Sequence, residues 1–219
     1  MICVKDRNPS KQVISRVYLS ETIKALMDLV HQTEHIDIVA FFMKRIDNTF
    51  TEEGRIRFEP PKNPFKVVLV EPEIPLNTGS IARLCVATSS ILVIAGEPSF
   101  SLDSSDVKRA GVDYWDHLKF ERYNSIDEYV SKNLDSRLFF FSAKAKTPYT
   151  LCDFRCGDSL IFGKESTGLP HEILNKYRDN LFGIPTTDRV RSLNLSNAVS
   201  IVLYEALRRN GFFEKVYIS

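Results

Sequence analysis

The sequence predicts an α/β fold built on a parallel sheet, occupying residues 65–219 behind a small α+β extension over residues 1–64. Three observations point there. Downstream of Pro64, short apolar runs alternate with capped helical segments, the pattern of strands joined by crossover helices. The stretch Glu59-Pro60-Pro61-Lys62-Asn63-Pro64 places three prolines within five residues, which forbids a continuous helix and favours an extended linker. Composition is ordinary for a globular chain of 219 residues, at 43% hydrophobic and 26% charged. That leaves room for one domain with an appendage and argues against wholesale disorder, a collagen-like repeat or a coiled-coil rod.

Taken in order, Ser20 can cap a helix whose Ile23, Leu26, Met27 and Val30 fall at i, i+3, i+4 and i+7, one apolar face. Residues 36–43 read as a strand, and 55–58 as a short partner strand beyond Glu53-Gly54. Roughly 60 residues of this pattern bury little surface alone, so the extension is expected to lean on the main domain or on a second subunit. Past the prolines, short apolar runs predict strands at 66–70, 91–95, 117–120, 137–142, 159–162 and 181–184. Helical windows lie between and after them near 78–88, 104–110, 126–133, 170–177 and 194–209. Ser125 and Glu128 are spaced as a capping box in which each side chain satisfies the other's free backbone N–H. Gly111 and Gly211 stand where helix C-caps are wanted.

Charge and cysteine usage narrow the function classes. Lys and Arg number 29 against 28 Asp and Glu, a net charge of +1, so a polyanion partner must be held by a local patch. Cys3, Cys85, Cys152 and Cys156 follow no charged-then-apolar leader, which argues against a secreted disulfide framework and for a cytoplasmic location. The longest apolar runs, such as 91–95 and 138–141, fall far short of the roughly 20 residues of a membrane helix, so no membrane association is expected. His31 with His35, and Cys152 with Cys156, repeat at i, i+4, but neither pair has the close Cys-x2-Cys spacing of a zinc site. No metal is expected, and the cysteines read as small buried apolar residues.

Three segments at strand-to-helix junctions carry the candidate chemistry, because loop backbone N–H groups there are free to bind ligands. In residues 71–83, Asn77 is a candidate N-cap, the helix start behind it suits a phosphate, and Arg83 offers a cationic fork. A plain capped helix with a surface arginine explains the same residues. In residues 160–170, Gly163 and Gly168 permit close approach of a bound group and Pro170 suits the first turn of a helix, although a tight connection needs the same residues. The spacing fits neither the dinucleotide-binding glycine pattern nor a phosphate-binding P-loop. In residues 183–198, Arg189, Arg191, Ser192, Asn194, Ser196 and Asn197 crowd polar groups onto a helix start. The helix behind them has an apolar stripe of Leu195, Ala198, Val199, Val202, Leu203 and Ala206, widened by Ile201 and Tyr204. The stripe by itself suits a helix packed in the core, but its width exceeds one packing face and predicts a homodimer through this helix.

Together with Lys108-Arg109-Ala110-Gly111-Val112-Asp113-Tyr114-Trp115, these segments carry a resemblance. Glu-Pro-Glu-Ile-Pro-x-Asn-Thr-Gly-x-Ile-x-Arg, Phe-Gly-x-Glu-x-x-Gly-Leu-Pro and Arg-Ser-Leu-Asn-Leu-Ser-Asn-Ala occur in the order seen in the SPOUT class of RNA methyltransferases. Within that class the chain is most similar to the tRNA (cytidine(34)-2'-O)-methyltransferase family, from about residue 65 to residue 213. It departs from the family at Ser80, commonly asparagine, and at Lys164-Glu165-Ser166-Thr167, which replaces a frequent Pro-Glu-Thr-Arg. Residues 1–60 have no counterpart in the minimal family.

The resemblance implies a SPOUT fold whose C-terminal segment threads a loop to form a deep trefoil knot, against the general absence of knots. It implies a homodimer that binds S-adenosyl-L-methionine in the knot, methylates the 2'-oxygen of the tRNA wobble ribose (cytidine or uridine 34), and releases S-adenosyl-L-homocysteine. Carried over, the cofactor contacts are Phe141, Gly163, Ile184 and Ser192, with Leu193 and Asn197 beside them and Glu165 and Gly168 in the same loop. A flat apolar base suits a wall of Phe141, Ile184 and loop backbone, and a side chain at Gly163 is expected to occupy ligand space while leaving the fold intact. Arg83, Ser192 and Asn194 form the implied catalytic set. Arg83, always protonated, is read as holding phosphate or developing alkoxide, Ser192 and Asn194 as orienting the ribose, and Glu165 as orienting its loop, with a base role as the second option. Lys108, Arg109, Arg189 and Arg191 are implied in tRNA backbone contacts. The alternatives are another tRNA or rRNA ribose, or a catalytically idle knotted RNA-binding module.

Overall fold

The computed structural model describes residues 55–102 and 116–218. The elements expected at 20–30, 36–43 and 104–110, the Gly111 cap, His31, His35, Lys108 and Arg109 lie outside the described residues. The elements between Arg57 and Tyr217 belong to one compact unit.

In chain order the strands are β1 (Ile56–Phe58), β2 (Lys66–Val70), β3 (Ile91–Ala95), β4 (Lys119–Tyr123), β5 (Leu138–Phe141), β6 (Thr147–Pro148), β7 (Ser159–Phe162), β8 (Leu181–Gly183) and β9 (Val216–Ile218). The helices are α1 (Pro75–Thr88), α2 (Ile126–Lys132), α3 (His171–Lys176) and α4 (Leu195–Arg209). β2 to β8 form one sheet in the order β4-β3-β2-β7-β5-β8-β6, and β1 pairs with β9 in a separate two-stranded sheet. Every neighbouring pair in the large sheet is parallel.

A parallel sheet must be covered on both faces, and the side-chain period of two sorts its residues accordingly. Val67, Leu69, Leu92, Ile94, Phe139, Phe141, Leu160 and Phe162 share one core with Ile81, Ala82 and Cys85 of α1 and Val199, Val202, Leu203 and Ala206 of α4. Val68, Val70, Val93, Ala95, Phe140 and Ile161 face the other way, against Ile126 and Tyr129 of α2 and Ile173 and Leu174 of α3. Cys85 and Cys152 are buried, and burial pushes the Cys152 thiol up to about 12, so both behave as small apolar residues. Among the described residues no helix is long and apolar enough to cross a membrane.

Strands β2, β3 and β7 occupy the expected residues. β4 runs two residues later than expected because Asp116–His117 is a 3-10 turn and the pairing register sets Ile91 beside Lys119. It is an edge strand, with Phe120 40% exposed. β6 was not expected: it is two residues long and contains Pro148, tolerated because β6 lies at the sheet edge. Ser125 caps α2 as expected, its Oγ accepting from the Glu128 N–H at 3.1 Å. The return bond differs, since Glu128 accepts from the N–H of Asn124 (2.6 Å) and not from that of Ser125. Gly211 has φ +75° just past α4, as a left-handed C-cap requires.

One crossing positions the site. β8 lies between β5 and β6, although those two strands are consecutive and joined only by residues 142–146. The link therefore passes over the C-terminal end of β8. It is pinned there by Ser142 N–H donating to Phe182 O (2.9 Å), and its turn is closed by Ala145 N–H donating to Ser142 O (3.1 Å) and Lys144 N–H to Ser142 Oγ (3.2 Å). Gly183 runs directly beneath, where an added Cβ would lie 3.1 Å from Ser142 O and 3.3 Å from the Ala145 Cβ.

Candidate functional site

The start of α1 organises the site. Asn77 is not its N-cap: the helix begins three residues earlier, with Ile74 at the cap position and Pro75 just inside, and Ile74 has no side-chain acceptor to offer. A distant loop instead supplies an acceptor to the N–H groups just ahead of the helix. Glu165 accepts from the N–H of Glu73 (2.8 Å), the N–H of Ile74 (3.2 Å) and Nδ2 of Asn77 (2.9 Å). A carboxylate at a helix N-terminus is favoured both by the free N–H groups and by the helix dipole.

Asn77 itself is buried and carries the contact onward. Its Oδ1 accepts from Nδ2 of Asn194 (3.0 Å), and Asn194 Oδ1 caps α4 by accepting from the N–H groups of Ser196 (2.9 Å) and Asn197 (3.3 Å). Glu165, Asn77 and Asn194 thus tie three loops into one network. Two further links strap the loop after β7 to the loop after β2. Lys164 Nζ meets Glu71 at 2.8 Å, and Glu73 accepts from both the N–H and the Oγ of Ser166, each at 2.8 Å. The Ser166 bonds hold the Glu73 carboxyl below its usual range, and Glu71 raises the Lys164 ammonium. The strap is therefore complete at neutral pH, and its stabilisation is lost as acid protonates Glu73 through its lowered pKa.

Between these loops and the crossing link lies a cavity of about 700 Å³, at the C-terminal ends of β5, β7 and β8. Open parallel sheets bind ligands at that end of the strands, and the volume lies within the usual range for small-molecule sites. Phe141, Gly163, Glu165, Gly168, Ile184, Ser192, Leu193 and Asn194 all line it, as does Arg191. Ser142, Lys144 and Thr186, to which the sequence assigned no role, also line it, as do Asn77 and Ala198, read there as a helix cap and part of an apolar stripe. Ser142 and Lys144 had a usable signal, since they directly follow the strand that ends at Phe141.

Sequence profiles and solved structures decide the family. The profile of the SpoU rRNA Methylase family matches residues 64–204. The chain belongs to the SpoU rRNA methylase family. A Listeria innocua relative, named provisionally as a tRNA (cytidine(34)-2'-O)-methyltransferase, is 41% identical over 152 residues, 68% of this chain and 90% of its own. A solved structure concerned with 2-OH methylation of C/U34 on tRNA is 38% identical with a TM-score of 0.65, covering 68% of this chain and 97% of that one. An AdoMet-bound rRNA methyltransferase from Sinorhizobium meliloti is 25% identical with a TM-score of 0.61, covering 69% of this chain and 61% of its own.

Three readings of this SpoU methylase change with the geometry. The Phe141 ring is only 6% exposed and stacks on Phe162 at 5.0 Å, so it forms the cavity floor instead of offering a free face. A Cβ at Gly163 would meet Gly168 C and Leu169 N at 2.2 Å, so the glycine is needed for closure of its own loop before any ligand arrives. Asn194 has its carbonyl in the helix cap and its amide on Asn77, so both ends of its side chain are already engaged. Arg83 is exposed on α1 and does not line the cavity, nor do Asn197 and Arg189.

Proposed function

We propose that this SpoU methylase transfers a methyl group from S-adenosyl-L-methionine to the 2'-hydroxyl of the tRNA wobble nucleotide, cytidine or uridine 34. One observation carries the reading: three loops at the C-terminal ends of β5, β7 and β8 converge on one cavity, the last two tied to the start of α1 by the Glu165–Asn77–Asn194 network. Relatives named for that reaction support it.

The cavity suits the cofactor. Its floor of Phe141, Phe162 and Ile184 is apolar, Ser142, Thr186 and Ser192 supply polar groups at the wall, and Gly168, at φ +75°, leaves open space where a Cβ would stand. Gly163, Gly168, Ile184, Ser192 and Leu193 would hold it. When bound, S-adenosylmethionine supplies a methyl group already activated by its sulfonium. The chain's own task is alignment. Glu165, the one carboxylate on the wall, already accepts three hydrogen bonds and is assigned loop positioning instead of a base role. Ser192 is left to orient the ribose, with Asn194 and Asn77 behind it.

The crossing of residues 142–146 over β8, with Gly183 passing beneath, supports a trefoil knot closed by the segment that ends in α4. Residues 65–219 are taken as the methyltransferase domain and 1–64 as an extension, in a cytoplasmic protein. Full-length protein incubated with S-adenosylmethionine and an in-vitro transcribed tRNA bearing cytidine 34 should give 2'-O-methylcytidine at that position. Methylation confined to another tRNA ribose or to rRNA would overturn the assignment, and failure to bind the cofactor would leave an idle RNA-binding module.

Arg83 lies off the cavity wall and is assigned to the RNA. Arg83→Ala should lower kcat/KM for tRNA roughly 30-fold, about 2 kcal/mol for a charge-assisted contact, with cofactor affinity within about twofold of the wild type. Equal losses in both would place Arg83 at the cofactor instead.

On α4, Ile201 and Tyr204 remain 37% and 45% exposed although the opposite side of the helix is buried. We assign this surface to a homodimer. Tyr204→Glu should give a monomer by light scattering at micromolar concentration, and a monomeric wild type would remove the interface.

A further inference from the structure

The crossing link carries a cation that the proposed reaction has not yet used. Lys144 stands in the pinned turn over β8, is exposed, and lines the cavity. Its ammonium has no hydrogen-bond or ion-pair partner among the described residues, and the same holds for the Arg191 guanidinium. The third cation of the wall differs: Lys164 is paired with Glu71 at 2.8 Å. Glu165, the only acidic residue of the wall among the described residues, is engaged by two backbone N–H groups and Asn77. Asp188, near Arg191 in the chain, does not line the cavity. The mouth is therefore a region of two uncompensated positive charges.

Such charges do not serve a sulfonium, which they repel; they call for an anion. The rigid turn matters as well. One backbone hydrogen bond ties Ser142 to Phe182 of β8 and two more close the turn on Ser142 itself, so the base of the Lys144 side chain has a defined position and less freedom is lost when it binds. Exposed, flexible ammonium groups suit a phosphodiester that stays partly solvated, the commonest kind of protein contact to a nucleic acid backbone.

We propose that Lys144, together with Arg191, forms a phosphodiester subsite at the cavity mouth, holding the RNA backbone next to the ribose that is methylated. The proposal rests on the RNA-methyltransferase reading. Lys144 is a positioning residue in it: it fixes where the strand enters and takes no part in the transfer.

The test uses the full-length chain and a transcribed tRNA with cytidine 34. Affinity is measured across a series of potassium chloride concentrations for wild type, Lys144→Ala and Lys144→Arg, with S-adenosylmethionine affinity and melting temperature measured in parallel. Lys144→Ala should weaken tRNA binding roughly five- to tenfold and reduce the slope of log Kd against log salt by about 0.7 to 0.9, the loss of one phosphate contact. Lys144→Arg should restore both, and KM should rise more than kcat falls. Unchanged tRNA affinity and slope in Lys144→Ala, with a wild type that methylates, would overturn the subsite alone. A fall in cofactor affinity matching the fall in tRNA affinity would also overturn it, by assigning the lysine to the cofactor's carboxylate. A wild type that neither binds nor methylates the tRNA would overturn the parent reading.

Discussion

Gly163→Val is expected to abolish S-adenosylmethionine binding and to lower the melting temperature at the same time. The two effects have one cause. An added Cβ would sit 2.2 Å from Gly168 C and Leu169 N and 2.6 Å from Gly168 O, all backbone atoms that no rotamer change can move. The same residues close the loop, Gly168 N–H donating to Lys164 O at 2.9 Å. Valine must therefore open the loop, and that opening moves Lys164, Glu165 and Ser166, which hold the loop to the start of α1. Overpacking of this kind costs about 3 kcal/mol, which for a domain of this size is roughly 6–12 °C in melting temperature. Cofactor affinity should fall more than 100-fold, since loop residues on both sides of the clash line the cavity. Gly168→Ala is the contrasting variant. No atom lies within 4 Å of a Cβ built there, and only the left-handed φ of +75° opposes it, about 1 kcal/mol. Normal affinity and normal melting in Gly163→Val would show that the loop does not form the cofactor wall.

Glu165→Gln is expected to lose cofactor affinity and turnover together, by roughly 30- to 100-fold, and to lower stability by about 2–3 kcal/mol. Three donors converge on the carboxylate. A glutamine keeps the shape but offers one acceptor oxygen, so its NH2 must face a backbone N–H of Glu73 or Ile74. With its oxygen at the Oε1 position the glutamine keeps Ile74 and Asn77 but sets its NH2 against the Glu73 N–H; with the amide reversed it loses Ile74 and the Asn77 amide that leads on to Asn194. The measurement separates two roles. A positioning glutamate affects binding and turnover alike, whereas a general base would leave cofactor affinity intact and lower turnover alone. Intact affinity with a large fall in kcat would therefore return Glu165 to the chemistry and overturn the assignment made above.

Much of this molecule was legible in its sequence because local patterns report local physics. The apolar runs at 66–70, 91–95 and 159–162 are strands because Val, Ile, Leu and Phe in short runs suit a sheet buried on both faces. Ser125 caps α2 and Gly211 ends α4 through contacts only a few residues long. The three motif segments could be read as one site because each follows a strand of the same parallel sheet, and their residues do meet at one cavity.

What escaped the sequence is whatever depends on partners far along the chain. α1 begins at Pro75, where proline suits the first helical position, but the carboxylate that engages the N–H groups of Glu73 and Ile74 ahead of it comes from Glu165, more than 90 positions away in the chain, and no local signal names that partner. β6 exists because β8 stands beside it, not because Thr147-Pro148 prefers to be extended. Phe141 looked like a free aromatic face until Phe162 covered it. The lysine at the cavity mouth is one of many in the sequence, and only the crossing of its turn over β8 brings it there, with no charge partner among the described residues. The sequence by itself determined the fold class, most strands and the family, since periodicity and short motifs act over a few residues. The tertiary structure alone decided which polar groups are already engaged and which remain for a ligand, because hydrogen bonds and charge pairs form between whatever groups the fold brings within about 3 Å.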